Sequence, residues 1–252
     1  MRFKGHNVVF KAQVGSFLRN LNDKDSDVDE KIFVMPTFFE LYESKVFKDR
    51  VLGDPDQEIH DIRKLEKLWY NSNLAYLDVL YSYNIEVFID EFYEILQMKD
   101  KIVTMNLPQL FSSCMGMYNG QFKELTKPTS DRTNKMVQEY GYNPKKAMMG
   151  YHFLNFLEKF MEQGFKDYRR ANWYEGTERE FMMDIKRGEF TMEEILGILH
   201  RKESEVKHYE EVYKSKKFDE ETNNKMQRLL RSMVAKHTIQ LVNEDNYYIK
   251  TN

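Results

Sequence analysis

The sequence predicts an α+β fold: a small mixed β-sheet in the first part of the chain, followed by an all-helical part. Three observations carry that expectation. The first 60 residues hold short period-2 segments separated by turn residues. From position 61 onward, apolar residues recur at helical spacing instead. Five prolines and eleven glycines in 252 residues leave long elements dominant and no stretch that reads as a linker. The change from strands to helices falls between 84 and 130, and a division into residues 1–125 and 126–252 is expected.

Taken in order, Val8, Phe10, Ala12 and Val14 alternate with Val9, Lys11 and Gln13, the pattern of a half-buried strand that ends at Gly15-Ser16. A polar turn, LNDKDSD, leads to a second strand over 27–35, ended by Pro36. Thr37 with Glu40 makes a capping box for a short helix, FFELYE. A turn at Gly53-Asp54-Pro55 precedes a short extended piece, DQEIH, and Asp61 reads as the N-cap of IRKLEKLWY. Leu74, Leu77, Leu80 and Tyr81 resume the apolar stripe after Asn71-Ser72-Asn73. Helices are expected around 86–98, 107–125 and 143–163, the last capped by Gly164. Thr191 with Glu194 opens another helix, expected to run to about Tyr213, and Met226, Leu230, Met233 and His237 mark the last.

Composition excludes several classes. Lys+Arg 38 against Asp+Glu 41 gives a charge of −3, which rules out a globally basic nucleic-acid coat but not a local basic groove. Hydrophobic residues at 41% with aromatics at 14% rule out a disordered chain. The lone Cys114 rules out a disulfide framework and a cysteine-rich zinc site, and suits a reducing cytosol. No apolar run approaches the roughly 20 residues of a membrane span. MRFKGHNVVF carries no secretory signal pattern, so a cytoplasmic protein is expected.

The chemistry concentrates at Gly15-Ser16 and Asp27-x-Asp29. Two carboxylates two apart in a strand point to one face. With no Lys or Arg nearby to pair them they repel, and a divalent cation resolves the repulsion. Gly15 lets the backbone approach a ligand and Ser16 adds a hydroxyl. A helix starting at Phe17-Leu18-Arg19 would offer free N–H groups to a phosphate. A two-metal site needs a third carboxylate. Asp56, Glu58 and Asp61 are the candidates, with Glu58 preferred because Asp61 competes as an N-cap and Asp56 lies nearer the loop.

On these residues the chain resembles a known family. VGSFLRNLNDKDSDVD looks like the Gly-Ser and Asp-x-Asp signature of the DNA polymerase beta-type nucleotidyltransferase superfamily. EIHDIRKLEKLWYNSNLAYLDVLYS, GYNPKKAMMGYHFLNFL and EFMMDIKRGEFTMEEI narrow the likeness to bacterial and phage members associated with RNA repair, over roughly 8–215. The resemblance implies a catalytic domain over 1–125 and a helical domain over 126–252 closing the cleft. It implies transfer of an NMP from an NTP, ATP among them, to an acceptor hydroxyl on RNA or a tRNA end. Gly15, Ser16 and Arg19 would then hold the triphosphate, and Asp27, Asp29 and Glu58 would hold Mg²⁺ or Mn²⁺. Lys145 matches the family's phosphate-contacting lysine. Where the family often has His and then Arg, this chain has Met149 and His152; a protonated His152 would contact phosphate more weakly than a forked Arg. NMP transfer to a protein or small molecule, and a non-catalytic antitoxin or anti-defence protein on the same fold, are the alternatives.

Other groups carry ordinary readings beside functional ones. Lys145-Lys146, Lys166, Arg169-Arg170 and Lys186-Arg187 are either solvated helix ends or a basic cleft. Tyr151, Trp173 and Tyr174 are either core or a base-stacking set. His6, His200, His208 and His237 have no metal-ligand spacing, His60 shares a strand face with Glu58, and Cys114 reads as core.

Overall fold

The computed structural model describes residues 1–24, 26–53, 55–128 and 130–245. Asp25 in the LNDKDSD turn and Asp54 in the Gly53-Asp54-Pro55 turn lie outside them. The order begins β1 (Arg2–Phe3), β2 (His6–Val14), β3 (Asp29–Val34), α1 (Phe38–Tyr42), β4 (Lys48–Val51), β5 (Asp56–Asp61), α2 (Lys64–Tyr70), α3 (Leu74–Leu77) and β6 (Ile85–Val87). It continues α4 (Phe92–Gln97), α5 (Lys99–Thr104), α6 (Leu107–Lys123), α7 (Asp131–Tyr140), α8 (Pro144–Glu162), α9 (Tyr168–Asn172) and α10 (Gly176–Arg187). The chain closes with α11 (Met192–Lys207), α12 (Glu210–Lys214) and α13 (Glu220–Asp245). The fold is α+β, a mixed sheet followed by helices.

Among the described residues six strands run in the order β1-β2-β3-β5-β4, with β6 beside β2. β3 and β5 pair in parallel, and the other pairs are antiparallel. The sequence alternation in β2 is broken in one place. Val8 pairs with Val34 and Phe10 with Phe33, so an extra residue bulges between them. Val8 therefore turns to the reverse face with Ile32, Val34 and Ile59, while Phe10, Ala12 and Val14 face the main core. Phe10 is sandwiched there, 4.7 Å from Phe33 and 4.0 Å from Phe92 between ring centroids.

The capping boxes at Thr37/Glu40 and Thr191/Glu194 both form. The helix opened by the second stops at Lys207, and α12 follows after a break at His208. The helix expected from 86 starts later: Ile85–Val87 pairs with β2 as an edge strand, and α4 begins at Phe92. Asp61 does not cap α2. It ends β5, and its carboxylate takes the Arg63 N–H at 2.9 Å and the Arg63 side chain.

α8 organises the helical part. Asn143 caps it, Pro144 opens it, and buried residues lie on every side, as expected of a helix surrounded by protein. At its end Gly164 N–H bonds to Met161 O at 2.8 Å and Phe165 N–H to Phe160 O at 2.9 Å, with the two phenyl rings 5.6 Å apart. That is a Schellman cap with its hydrophobic contact. α8 packs on α6, α10 and α11, and α13 returns across α2, α4 and α5. The main core is one continuous cluster from Val9 to Met233. Elements on either side of residue 125 thus share it.

Phe10→Ala is expected to cost about 3–5 kcal/mol in urea unfolding, because it empties the stack that joins the sheet to α4. A loss below about 1 kcal/mol would show that the stack does not hold them together.

Candidate active site

The strand end at Gly15 is built around a close approach. Gly15 has φ +80, and a Cβ there would collide with Asp29 Oδ2 and lie 3.2 Å from its Cγ. Glycine is required twice over, by the left-handed backbone and by the carboxylate seated against it. Ser16 then starts a 3-10 turn, Phe17–Arg19, rather than a helix. Its carbonyl accepts from Arg19 and Leu21 N–H, and its hydroxyl makes no capping bond.

The acidic residues lie where sheet register puts them. Asp29 is the first residue of β3, opposite Val14 on one side and Asp56 on the other. Asp27 precedes the strand and is exposed. Glu58 sits opposite Lys31, and Asp56 and Glu58 share a face of β5. Asp61 falls on the reverse face, fully buried, in an ion pair with Arg63 at 2.6 Å. Basic partners answer two of the carboxylates. Arg50 forks onto Asp56 at 2.6 and 3.3 Å, and Lys31 pairs with Glu58. The expectation that no Lys or Arg lies near Asp27 and Asp29 is corrected: the Lys31 charge acts on Asp29, although its ion pair is with Glu58. Lys31 is two residues past Asp29 and shares its face, a local neighbour, whereas Arg50 comes from β4.

Their titration follows from these surroundings. Burial raises the Asp29 carboxyl above its usual range, and the charges of Asp56, Asp27 and Glu58 add to the rise. The His60 hydrogen bond and the Lys31 ammonium hold Glu58 well below it, against burial. Asp29 is thus the member whose charge is least compensated.

A cleft of about 270 Å³ opens over this face. Gly15, Arg19, Asp29, Asp56 and Glu58 line it with Lys31 and Arg50, and Asp78 and Met149 close it. Lys145 and His152 do not line it. Lys145 is exposed one helical turn before Met149. His152 is fully buried.

Arg19 and His152 meet each other instead of a free anion site. The buried guanidinium donates to Gly15 O at 3.0 Å, Asp78 Oδ2 at 2.5 Å and His152 Nε2 at 2.9 Å. Asp78 also accepts from Tyr168 OH at 2.8 Å and Asn172 Nδ2 at 2.9 Å. Because Nε2 accepts from arginine, the His152 ring is neutral and its proton is on Nδ1, 2.9 Å from Tyr174 OH. Burial, then the Arg19 and Lys159 charges, hold its pKa well below 6.5. A protonated His152 on a phosphate does not fit this placement.

Basic residues of α10 staple the loop that follows. Arg179 donates to Asn20 O at 2.8 Å and Asn22 O at 3.1 Å, and Lys186 to Leu21 O at 2.8 Å. Lys186 is also 2.9 Å from Asp23. Lys146 pairs with Glu124. Of the basic residues that sequence left open between solvated helix ends and a basic cleft, Lys146 and Lys186 are thus engaged with other parts of the protein. Tyr174 is fully buried, Tyr151 is half-buried, and Trp173 remains partly open. Asp78, Lys31 and Arg50 were missed by sequence reasoning; only Lys31 had a local signal, its two-residue spacing from Asp29.

Oxygen donors of this kind suit Mg²⁺. Among the described residues, no three His, Cys, Asp or Glu side chains converge closely enough to hold a metal ion. Arg50 and Lys31 engage Asp56 and Glu58, two of the carboxylates that line the cleft. The donor types fit a divalent ion, and bringing them together requires those ion pairs to open.

The neutral His152 gives a pH test. An unfolded histidine titrates near 6.5 and binds a proton that the folded one refuses, so stability is present above that pH and falls as pH drops below it. Urea unfolding from pH 8 to 5 is expected to show this slope, up to about 1.4 kcal/mol per pH unit. His152→Gln, which can still accept from Arg19 and donate to Tyr174, is expected to flatten it. An unchanged slope would mean that His152 is already charged or exposed.

A search of curated proteins finds no match to this chain. The family model RlaP, described as the RNA repair pathway DNA polymerase beta family, matches residues 2–235, a span that includes the Gly-Ser turn, the acidic strands and the helices that pack on them. The chain belongs to that RNA repair pathway DNA polymerase beta family.

Proposed function

We propose that the protein is a Mg²⁺-dependent nucleotidyltransferase that moves an NMP from an NTP to an acceptor hydroxyl, with RNA as the acceptor. The observation that carries this reading is the face at the sheet end. Asp29 lies against Gly15 and opposite Asp56, its carboxyl raised by burial and by neighbouring negative charge, in a chain whose family is named for RNA repair.

Asp27 and Asp29 would hold the divalent ion together with a carboxylate of β5. The register favours Asp56 for that third position, since Glu58 stands opposite Lys31 and takes its charge. When bound, the ion would neutralise charge on the triphosphate and lower the cost of the departing pyrophosphate. The chain's own part is positioning. The Gly15-Ser16 turn, held by Arg19, presents backbone and a hydroxyl toward phosphate oxygens. Lys145, a turn from Met149 at the cleft, would add a positive charge. The β5 carboxylate next to the attacking hydroxyl would accept its proton while the hydroxyl oxygen bonds to the α-phosphorus and pyrophosphate leaves.

The direct test incubates the protein with each of the four NTPs, Mg²⁺ or Mn²⁺, and RNA, reading pyrophosphate and labelled RNA. Label on a protein or small molecule while RNA stays cold would remove the RNA acceptor. No pyrophosphate with any NTP would remove the transfer itself. Asp29→Asn and Asp27→Asn are expected to abolish turnover, while leaving stability in EDTA unchanged or raised because like-charge repulsion is relieved. A large loss of metal-free stability would mark these aspartates as structural. Asp56→Asn is expected to lower turnover by roughly 10²-fold or more, and Glu58→Gln by less than about 10-fold. The reverse order would return the third position to Glu58.

A further inference from the structure

Tyr83 is 57% exposed, yet it is held in place from two sides. The Arg169 guanidinium carbon lies 4.4 Å over its ring centroid, and Trp173 meets it edge-on at 5.7 Å. Arg169 is itself anchored, donating to Tyr81 O at 3.2 Å. The Trp173 carbonyl accepts from Lys159 Nζ at 2.7 Å. Singly exposed aromatics are ordinary. An exposed tyrosine fixed between an arginine and a tryptophan is a preformed plate, and the open part of its ring faces solvent.

The plate sits beside the cleft. Asn84 O, one residue after Tyr83, accepts from Gln13 N–H at 3.1 Å, and β6 then pairs with β2 through Ile85 and Ala12. Tyr174, one residue after Trp173, donates its N–H to Arg19 O at 3.2 Å, and its carbonyl accepts from Asn20 Nδ2 at 2.9 Å. Both halves of the plate therefore abut the strand end that carries Gly15. β6 and β3 flank β2, so two strand spacings, roughly 10 Å, separate the plate's side of the sheet from the strand bearing Asp29. Lys166 and Arg170, like Arg169, are exposed on this stretch of chain; of the acids near the plate in sequence, Asp167 caps α9, Glu86 pairs with Lys11 and Glu175 is exposed.

We propose that Tyr83, with Trp173 and Arg169, is a stacking platform for an unpaired base of the acceptor RNA close to its reacting end. The proposal rests on the nucleotidyl-transfer reading for the identity of the strand. Aromatic rings beside arginine bind single-stranded nucleic acid without needing a basic protein overall, because every base has a π-face. Arg169 and Arg170 would meet the adjoining phosphates. A duplex end has no unpaired base to give, so the platform selects single-stranded ends.

The test measures anisotropy of a fluorescein-labelled single-stranded RNA decamer with the full chain, without NTP. Tyr83→Ala is expected to weaken binding roughly ten-fold, and Tyr83→Trp to retain it. A blunt RNA duplex of the same length is expected to bind weakly and without regard to Tyr83. Tryptophan emission should be quenched by the decamer through Trp173, since Trp69 is fully buried, and the quenching should vanish in Trp173→Phe. Equal affinity of wild type and Tyr83→Ala would overturn the platform. So would an equal loss on duplex, tighter Tyr83-dependent binding of an acidic peptide, or no RNA binding by the wild type at about 100 µM. Tyr83-dependent RNA binding without pyrophosphate release from any NTP would refute the transfer reading alone, and pyrophosphate release with Tyr83-independent binding would refute the platform alone.

Discussion

A guanidinium buried at the end of a sheet is costly unless it is paired and hydrogen-bonded, and each of the three Arg19 nitrogens finds an acceptor, from three separate places. Gly15 O belongs to the turn after β2, Asp78 to the 3-10 turn before β6, and His152 to the middle of α8. Asp78 is in turn held by Tyr168 and Asn172 of α9. None of these segments can shift without stranding a charge, and stranding one member of such a pair costs several kcal/mol. The geometry of the Gly-Ser turn is thereby set by the helical part as much as by the sheet. The same demand explains the ring state of His152: an arginine donor at Nε2 excludes a proton there, and burial excludes the charged form.

Charge at the cleft is arranged around this fixed point. Asp29 rests on Gly15 while Asp56 and Glu58 lie one strand over, and Arg50 and Lys31 reach in from the same face. The two cations compensate the β5 carboxylates and leave Asp29 with the largest share of unanswered negative charge. A ligand entering here competes with existing ion pairs. Arg50 is 56% exposed at its side chain and can swing away at little cost, whereas Lys31 is 11% exposed and also lies over the Tyr76 ring at 4.8 Å. Releasing Asp56 is therefore the easier of the two movements.

Local signals were legible in the sequence wherever the physics is local. Both threonine capping boxes, the asparagine and proline at the start of α8, and the glycine that ends it are written within a few residues of where they act. The apolar stripes of α2, α11 and α13 face the core as their spacing demands. What sequence could not show depends on partners far along the chain. The β2 bulge is fixed by register against β3, and it sends Val8 to the face opposite Phe10. Ile85–Val87 has helical neighbours but is recruited as an edge strand by β2. Arg19 and His152 are 133 positions apart, and each alone reads as a phosphate contact; only together do they show that each is already taken. Asp56 and Glu58 share a strand face by spacing, and only the parallel pairing with β3 shows that Asp56 stands opposite Asp29 and Glu58 opposite Lys31.

The same accounting bears on how an RNA acceptor could be held. With 38 basic and 41 acidic residues the chain offers a polyanion no long-range attraction. Several of its well-placed cations are spent internally: Arg179 and Lys186 on the loop after Gly15, Lys146 on Glu124, Lys159 on Glu178 and the Trp173 carbonyl, and Lys202 on Glu158. Affinity built from phosphate contacts alone would be weak and steeply salt-dependent. Stacking carries no such dependence of its own, because it releases no counterions. In a protein that uses arginines and lysines as staples, an aromatic plate beside the sheet end is the economical way to hold a strand, and binding through it should weaken less with added salt than binding through a basic groove.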